Sequence, residues 1–512
     1  MAIEVHVAGM GAITPLGTSA ALSCAAVRAR LSRAQLDEAE DGVGYHRALV
    51  DALPPDLPRL ARLRALLASA LGDALASLHA SVAPGRPRAV PLWLALPEDV
   101  RAHDLLDDSM DDLSLSLMEP VRCGQASSLV ALKAAVQSIA GGRHELALVA
   151  GVDVRSDEQS VAALVRAEQL LTDDNAWGLV PSEGAAAVLI TSARVRKRLG
   201  LPSLGVVAAA AETRDDAERR GLPCIGEGLS QACHEVLDAL PEQARAGEIY
   251  GDLSGLRARA DEWGYTAPRL ATRCRDVTEA HMPAQWWGDQ GHATGMLLVA
   301  LALYDGARGH ASGQHVLLWA SSDGDARAAV LLSASADAPT VVPSRAPSEL
   351  DREVVAELLS EARFVFGQRS TQRAELEDHP LQGDAGVAAS EERLERYLDG
   401  LVVMREVALD ICSTEEMDVS LAYVMLRLLA TGTSVEALIT MLSSLSLAEP
   451  ELLAAAREAL SDAGGPLVRR LAQALVSSSY PSPMVALGLW VGGDQGGPLD
   501  IPWESVWREG PE

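Results

Sequence analysis

The sequence predicts an α/β core over residues 1–335 followed by an all-α region over residues 349–512. Three observations lead there. Strand-like and helix-like stretches alternate through the first two-thirds of the chain, the pattern of packed α/β layers. The composition changes after Leu332: "SASADAPTVVPSRAPSE" (333–349) is rich in Pro, Ser and Ala and places a linker at 336–348. Beyond it, apolar residues recur at helical spacing.

Taken in order, "IEVHVAGMG" (3–11) is an extended apolar run ending in glycines and predicts the first strand. Residues 59–80 predict a helix. In "VRCGQASSLVALKAA" (121–135) a short turn runs into a helix over 127–140, opened by Ser127 and Ser128 and carrying Leu129, Leu132 and Val136 at helical spacing. "HELALVAGVD" (144–153), "GAAAVLIT" (184–191) and "HVLLWASS" (315–322) predict buried strands, and 226–240 a further helix. In the last third, Leu394, Leu398 and Leu401 share a face, as do Leu421, Met425, Leu428 and Leu429. "SVEALITML", "PELLAAAREAL", "GPLVRRLAQAL" and "SPMVALGLW" follow at short intervals. Paired short helices of this kind predict a HEAT-like α-solenoid, with a compact bundle as the alternative.

Composition narrows the function classes. Aromatic residues are only 4% of a chain that is 48% hydrophobic, so the core must be built from Ala, Leu and Val. A net charge of −28 argues against nucleic acid and against anionic membrane surfaces. No apolar run reaches the length of a membrane span, and "MAIEVHVAGMG" lacks a basic leader and cleavage site, so a cytoplasmic protein is expected. Cys24, Cys123, Cys224, Cys233, Cys274 and Cys412 are scattered without CxxC spacing, which fits reduced thiols rather than disulfides or a zinc site. "RRGLPCIGEG" and "VGGDQGG" lack phosphate-binding spacing, and no cofactor is expected.

The turn before the 127–140 helix poses the functional question. A helix N-terminus stabilises negative charge and is where enzymes often seat a nucleophile. Gln125 stands at its tip, and an amide cannot attack. Cys123 lies two residues early and reads as a structural thiol.

"VAGMGAITPLGTS" (7–19), "GQASSLVALKAAVQSIAGGRHELALVAGVD" (124–153) and "LTDDNAWGLVPSEGAAAVLI" (171–190), with its Glu183-Gly184 pair, resemble in order and spacing the opening strand, nucleophile elbow and Gly-rich segment of β-ketoacyl synthases. The resemblance covers residues 1 to about 335. It implies a thiolase-like, duplicated five-layer core and a homodimer, with the edge expected in the strand around Leu146–Val152.

The chemistry of that family uses a cysteine thiolate and two histidines. Laid on the family pattern, Gln125 takes the cysteine position, Asp252 in "EIYGDLSGLRARADEWG" (248–264) the first histidine, and Asp289 in "WWGDQGHATGMLLVALAL" (286–303) the second, His292 serving there only across a gap. The late Gly-rich loop is replaced by "SSDGDARAA" (321–329), which brings Asp323, Asp325 and Arg327. Aspartate only accepts hydrogen bonds when ionised, and two facing carboxylates raise each other's pKa. Trp286 and Trp287 are candidates to fill the former acyl pocket, with plain core packing as the alternative. A metal held by Asp252, Asp289 and His292 is the weaker option, and no metal is expected.

The resulting expectation is a catalytically inactive ketosynthase homologue that acts as a protein-binding scaffold or adaptor. The helical C-terminal region resembles bacterial proteins associated with type VI secretion. The alternative is a chain-length-factor-like or malonyl-decarboxylating partner of an active synthase, since glutamine stands at this position in such proteins.

Overall fold

The computed structural model describes residues 4–335, apart from 29–31, 40–41, 43, 82–87, 107–112 and 309–310. The expected linker at 336–348 and the expected helical region at 349–512 lie outside the described residues.

The described chain is one motif used twice. The first repeat runs β1 (Val5–Ile13), α1 (Ala20–Arg28), a small hairpin of β2 (Gln35–Glu38) and β3 (Gly44–Arg47), α2 (Arg59–Ser81), β4 (Arg88–Ala95), β5 (Leu113–Leu117), α3 (Ser127–Ala140), β6 (Leu146–Val154), α4 (Glu158–Arg166) and β7 (Glu183–Ser192). The second runs α5 (Ala193–Leu199), β8 (Gly205–Arg214), α6 (Glu227–Leu237), β9 (Glu248–Gly251), α7 (Arg257–Leu270), α8 (Ala284–Trp287), α9 (Thr294–Arg308), β10 (His315–Ser321) and β11 (Ala326–Ala334). The expected strands and the 59–80, 127–140 and 226–240 helices stand where the apolar patterns put them. The hairpin, built from the polar "QLDE" and "GYHR", carries no such pattern, and only Tyr45 of it is buried.

Pairing exposes the duplication. In the first repeat β4 and β6 are parallel, and β7 is antiparallel to both β6 and β1. In the second, β9 and β10 are parallel, and β11 is antiparallel to both β10 and β8. Thus β1, β4, β6 and β7 correspond to β8, β9, β10 and β11, α2 to α6, and α3 to α9. The halves are joined edge to edge, Val5–Val7 of β1 on Gly205–Val207 of β8, into a nine-stranded sheet ordered β5-β4-β6-β7-β1-β8-β11-β10-β9. A short seam thus links the strands of both halves into one hydrogen-bonded sheet.

Helices complete the layers. α2 covers β1, β6 and β7, and α6 covers β8, β10 and β11. α3 touches β4, β6 and β8, α9 touches β6, β7 and β10, and the two touch each other, so they form the inner layer shared by both halves. The sequence explains the placement. α2 buries Leu63, Leu66, Leu67, Leu71, Leu75 and Leu78 along one stripe. β6 is buried at every residue, which requires an apolar run and not an alternating strand.

That burial corrects the expected dimer edge. β6 is flanked by β4 and β7, so Leu146–Val152 has no free edge. Among the described strands the sheet ends in β5 and β9. No described helix is long and apolar enough to cross a membrane. Cys123, Cys224, Cys233 and Cys274 are free thiols.

Candidate functional site

The turn Gly124–Ala126 leads directly into α3. Gly124 has φ +73°, which favours glycine, and a Cβ there would also press on the Ser322 Cβ at 3.1 Å. Ser322, in the β10–β11 loop, pins the turn: its hydroxyl accepts from the Ala126 N–H at 3.1 Å and donates to the Cys123 carbonyl. Gln125 sits at the tip, 2% exposed. Cys123 precedes the turn, its Sγ accepting from the Ser127 hydroxyl at 3.5 Å, and burial pushes the thiol up. It is not poised as a thiolate.

The second repeat has a twin of this elbow. Gly291–Ala293 leads into α9, and His292 occupies the place that Gln125 occupies in the first. The two helix starts are tied by the Met296 N–H, which donates to Ser128 Oγ at 3.2 Å. They pack closely because Gly151 of β6 lacks a side chain: a Cβ there would meet the His292 carbonyl oxygen at 2.5 Å. This revises the placement expected for the second histidine. His292 is at the helix entrance. Asp289 lies on the turn before it and accepts from Arg155 Nη1 and from the Gly291 N–H, both at 2.8 Å.

Asp153 organises His292. One carboxylate oxygen accepts from the His292 Nδ1 at 2.7 Å and from its backbone N–H at 3.1 Å. A carboxylate only accepts, so Nδ1 carries the proton, and the buried Nε2 has no protein partner. Burial alone would raise the Asp153 pKa, but His292 and Arg155 bring it below the ordinary carboxylate range. Asp252, just past the end of β9, behaves in the opposite way. It is 2% exposed. Burial pushes its pKa up to about 8; Arg259 opposes this, while Asp289 and Asp323 add to it. Asp252 therefore holds its proton to a much higher pH than an ordinary aspartate.

The seat itself is filled by Arg259, from the first turn of α7. Its guanidinium donates to Gln125 Oε1 at 3.2 Å and to Asp323 Oδ1 at 2.8 Å, while the Gln125 amide donates to Asp323 at 3.5 Å. Burial works against the Asp323 carboxylate, but Arg259 and Arg155 hold its pKa below the ordinary range. The charges that this loop brings are all paired: Asp323 with Arg259, Asp325 with Arg214 at 3.1 Å, and Arg327 with Glu262 at 2.5 Å. A cavity of about 610 Å³ lies on the outer side of this pair, lined by Arg259, Asp323, Ser322, Glu262, Cys224 and Leu256 among others. Neither tryptophan lines it. Trp287 is buried, its carbonyl accepting from Ser182 and Gln290, and Trp286 is half-buried.

Asp252, Asp289 and His292 do not converge as metal ligands. Among the described residues the convergent acidic and thiol group is Asp215, Cys224 and Glu262. There Glu262 is already committed to Arg327, whose guanidinium supplies the positive charge.

Arg259 and Asp153 escaped the sequence reading. For Arg259 a signal exists: Arg259, Glu262, Trp263, Thr266, Ala267 and Leu270 are the buried face of α7, at helical spacing. A charged pair on that stripe marks partners waiting elsewhere in the chain. Asp153 and Arg155 sit at the end of a buried strand, and nothing local reveals their partners.

A duplicated strand–helix–strand–helix–strand–strand core with a helix-entrance elbow in each half is the thiolase-like fold. Residues 119–195 match the family model described as "Beta-ketoacyl synthase, N-terminal domain". A stretch of 99 residues, 18% of this chain, is 36% identical to polyketide synthase GfsA from Streptomyces halstedii, and the chain spans 1% of that protein's length. A solved type II polyketide synthase complex of an acyl-carrier protein with its ketosynthase bound to the hexaketide is 15% identical, covering 65% of this chain and 100% of that one, with a TM-score of 0.53. An oxazolomycin ketosynthase domain from Streptomyces albus is 16% identical over 71% of this chain and 81% of its own, with a TM-score of 0.50. The N-terminal region has the mixed α/β, thiolase-like ketosynthase fold.

Proposed function

We propose that this protein does not form an acyl-enzyme and serves as a non-catalytic, ketosynthase-fold partner for other proteins. The observation that carries the reading is the state of the elbow tip. Gln125 has no nucleophilic atom, and its carboxamide is held on both sides by Arg259 and Asp323. The residue that the family pattern sets at the first-histidine position is Asp252, whose carboxyl burial pushes well above the ordinary range. The role of a scaffold or adaptor, as a homodimer through residues 1–335 and accessory to a type VI secretion system, rests on the family resemblance and on that of the C-terminal segment.

One observation favours the second reading, a chain-length-factor-like or malonyl-decarboxylating partner. His292 stands at the α9 entrance with a bare Nε2, so one of the two imidazoles that stabilise an enolate is in place.

Incubation with acyl and malonyl carrier-protein thioesters separates the readings. Mass spectrometry should find no acyl-enzyme, and no carbon dioxide should be released. Carbon dioxide release that disappears in Gln125→Ala or His292→Ala would replace the scaffold reading with the decarboxylase one.

A further inference from the structure

We infer that Glu248, Tyr250 and Asp305 form a buried proton-binding site that locks α9 onto β9, with Asp305 as the group that holds the proton. The site stands apart from the elbow, and its test does not depend on turnover. The Tyr250 side chain is fully buried, and its oxygen lies within hydrogen-bond distance of two carboxyl oxygens: Glu248 Oε2 at 2.7 Å and Asp305 Oδ2. A phenol has one proton and a carboxylate has none, so one of the two contacts would set bare oxygen against bare oxygen. A second proton in the row removes that repulsion.

The surroundings place this proton on Asp305. Glu248 is built as an anion: its Oε1 accepts from the Ser312 N–H and hydroxyl, both at 2.7 Å, and His281 Nε2 lies 3.4 Å from its Oε2. Burial works against the Glu248 carboxylate, but His281, Ser312 and Tyr250 bring its pKa down to about 2. Burial, Asp305 and Glu248 together hold the Tyr250 phenol well above its ordinary range, so it keeps its own proton. Asp305 therefore donates to Tyr250, and Tyr250 donates to Glu248. Among the described residues the titratable groups in contact with Tyr250 are these two carboxyls and His281, whose ring stacks on the phenol at 4.5 Å. His281 also pairs with the outer edge of β9: its N–H donates to the Ile249 carbonyl at 2.8 Å, and its carbonyl accepts from the Gly251 N–H at 3.0 Å. The row thus ties α9, β9 and the segment outside β9 together. Once Asp305 loses its proton, two carboxylates face one phenol and the lock loosens. A proton bound only on folding stabilises at low pH, and that stability is lost as pH rises.

The test reads the proton directly. An Asp252→Asn background removes the Asp252 acid. There, isotope-edited infrared spectroscopy with carboxyl-labelled aspartate at neutral pH should show the band of an un-ionised aspartic acid that disappears in Asp305→Asn. The amide keeps the shape of the acid and still donates to Tyr250. Glu248→Gln should abolish the same band with Asp305 in place, because the new amide donates to Tyr250, which then donates to Asp305 and leaves it ionised. This variant carries the test if Asp305→Asn does not fold. Raising the pH above neutrality should also speed hydrogen exchange in α9, after correction for base catalysis, by up to about tenfold per pH unit, and should not do so in Asp305→Asn. The inference is overturned if the band survives Asp305→Asn, if it survives Glu248→Gln, or if exchange in α9 climbs equally with pH in the parent and in Asp305→Asn.

Discussion

The two repeats share a topology and solve the same problem with opposite chemistry. Each clamps the start of its last strand to an outer helix with a buried Arg–Glu pair. In the first repeat the helix gives the arginine: Arg62 of α2 bonds Glu183 of β7 at 2.5 and 2.7 Å. In the second the helix gives the glutamate: Glu262 of α7 bonds Arg327 of β11 at 2.5 Å. Their surroundings differ more than their geometry. Glu183 also accepts from the Val50 N–H and from Ser156 and is fully buried, whereas both members of the second pair line the cavity. Both clamps are buried, but the first is enclosed by protein whereas the second borders the cavity.

That contrast can be broken. Glu183→Ala leaves the buried Arg62 without its counter-charge and should cost about 3–5 kcal/mol of stability. Glu262→Ala leaves Arg327 facing the cavity, where water can reach it, and should cost about 1–3 kcal/mol. Urea denaturation of both variants measures the difference; equal losses would show that the cavity does not solvate the second clamp.

A second experiment sharpens it through pH. Asp252 has a folded pKa of about 8, raised by burial above its unfolded value. Between the two values the native state binds the extra proton, so its contribution is fully present below the unfolded pKa and is lost as pH rises toward the folded one. The slope approaches about 1.4 kcal/mol per pH unit at most. Asp252→Asn should remove that slope, so that the variant gains on the parent as pH climbs from about 5 to about 8. Denaturation midpoints that run parallel across this window would place the carboxylate in water.

The smallest effect is expected at the cross-repeat pin. Ser322→Ala removes the hydroxyl that holds both Cys123 and Ala126, and should cost about 1–2 kcal/mol. Its signature is local: hydrogen exchange at the Ala126 amide should accelerate while exchange in α2 does not.

The elements were legible because their signals are local. The all-apolar β6, the leucine stripe of α2 and the turn before α3 each announce themselves within a dozen or so residues. Gln125 at the elbow tip was legible for the same reason. What failed depended on distance in sequence. The choice between Asp289 and His292 turned on which residue stands at the α9 entrance, and the pairing of Asp289 with Arg155 joins residues from opposite repeats. Trp286 and Trp287 stood as candidates to fill the acyl seat, with core packing as the alternative, while Arg259, which reaches Gln125 from another helix, carried no local mark of doing so. Leu146–Val152 looked like a free edge because nothing in a strand's own residues says how many neighbours it has. Charge pairs and sheet order are long-range facts, and their partners carry no mark of each other.

The shared inner layer has a further consequence. α3 belongs to the first repeat but packs on β8 of the second, and α9 belongs to the second but packs on β6 and β7 of the first. The strands themselves meet only along the short seam between β1 and β8. Neither half can therefore melt without stripping a layer from its twin, and neither can be cut free with its apolar faces covered. Cooperativity here is written into the interleaving of two helices rather than into the sheet. The length of chain that repeats is half the length of chain that folds.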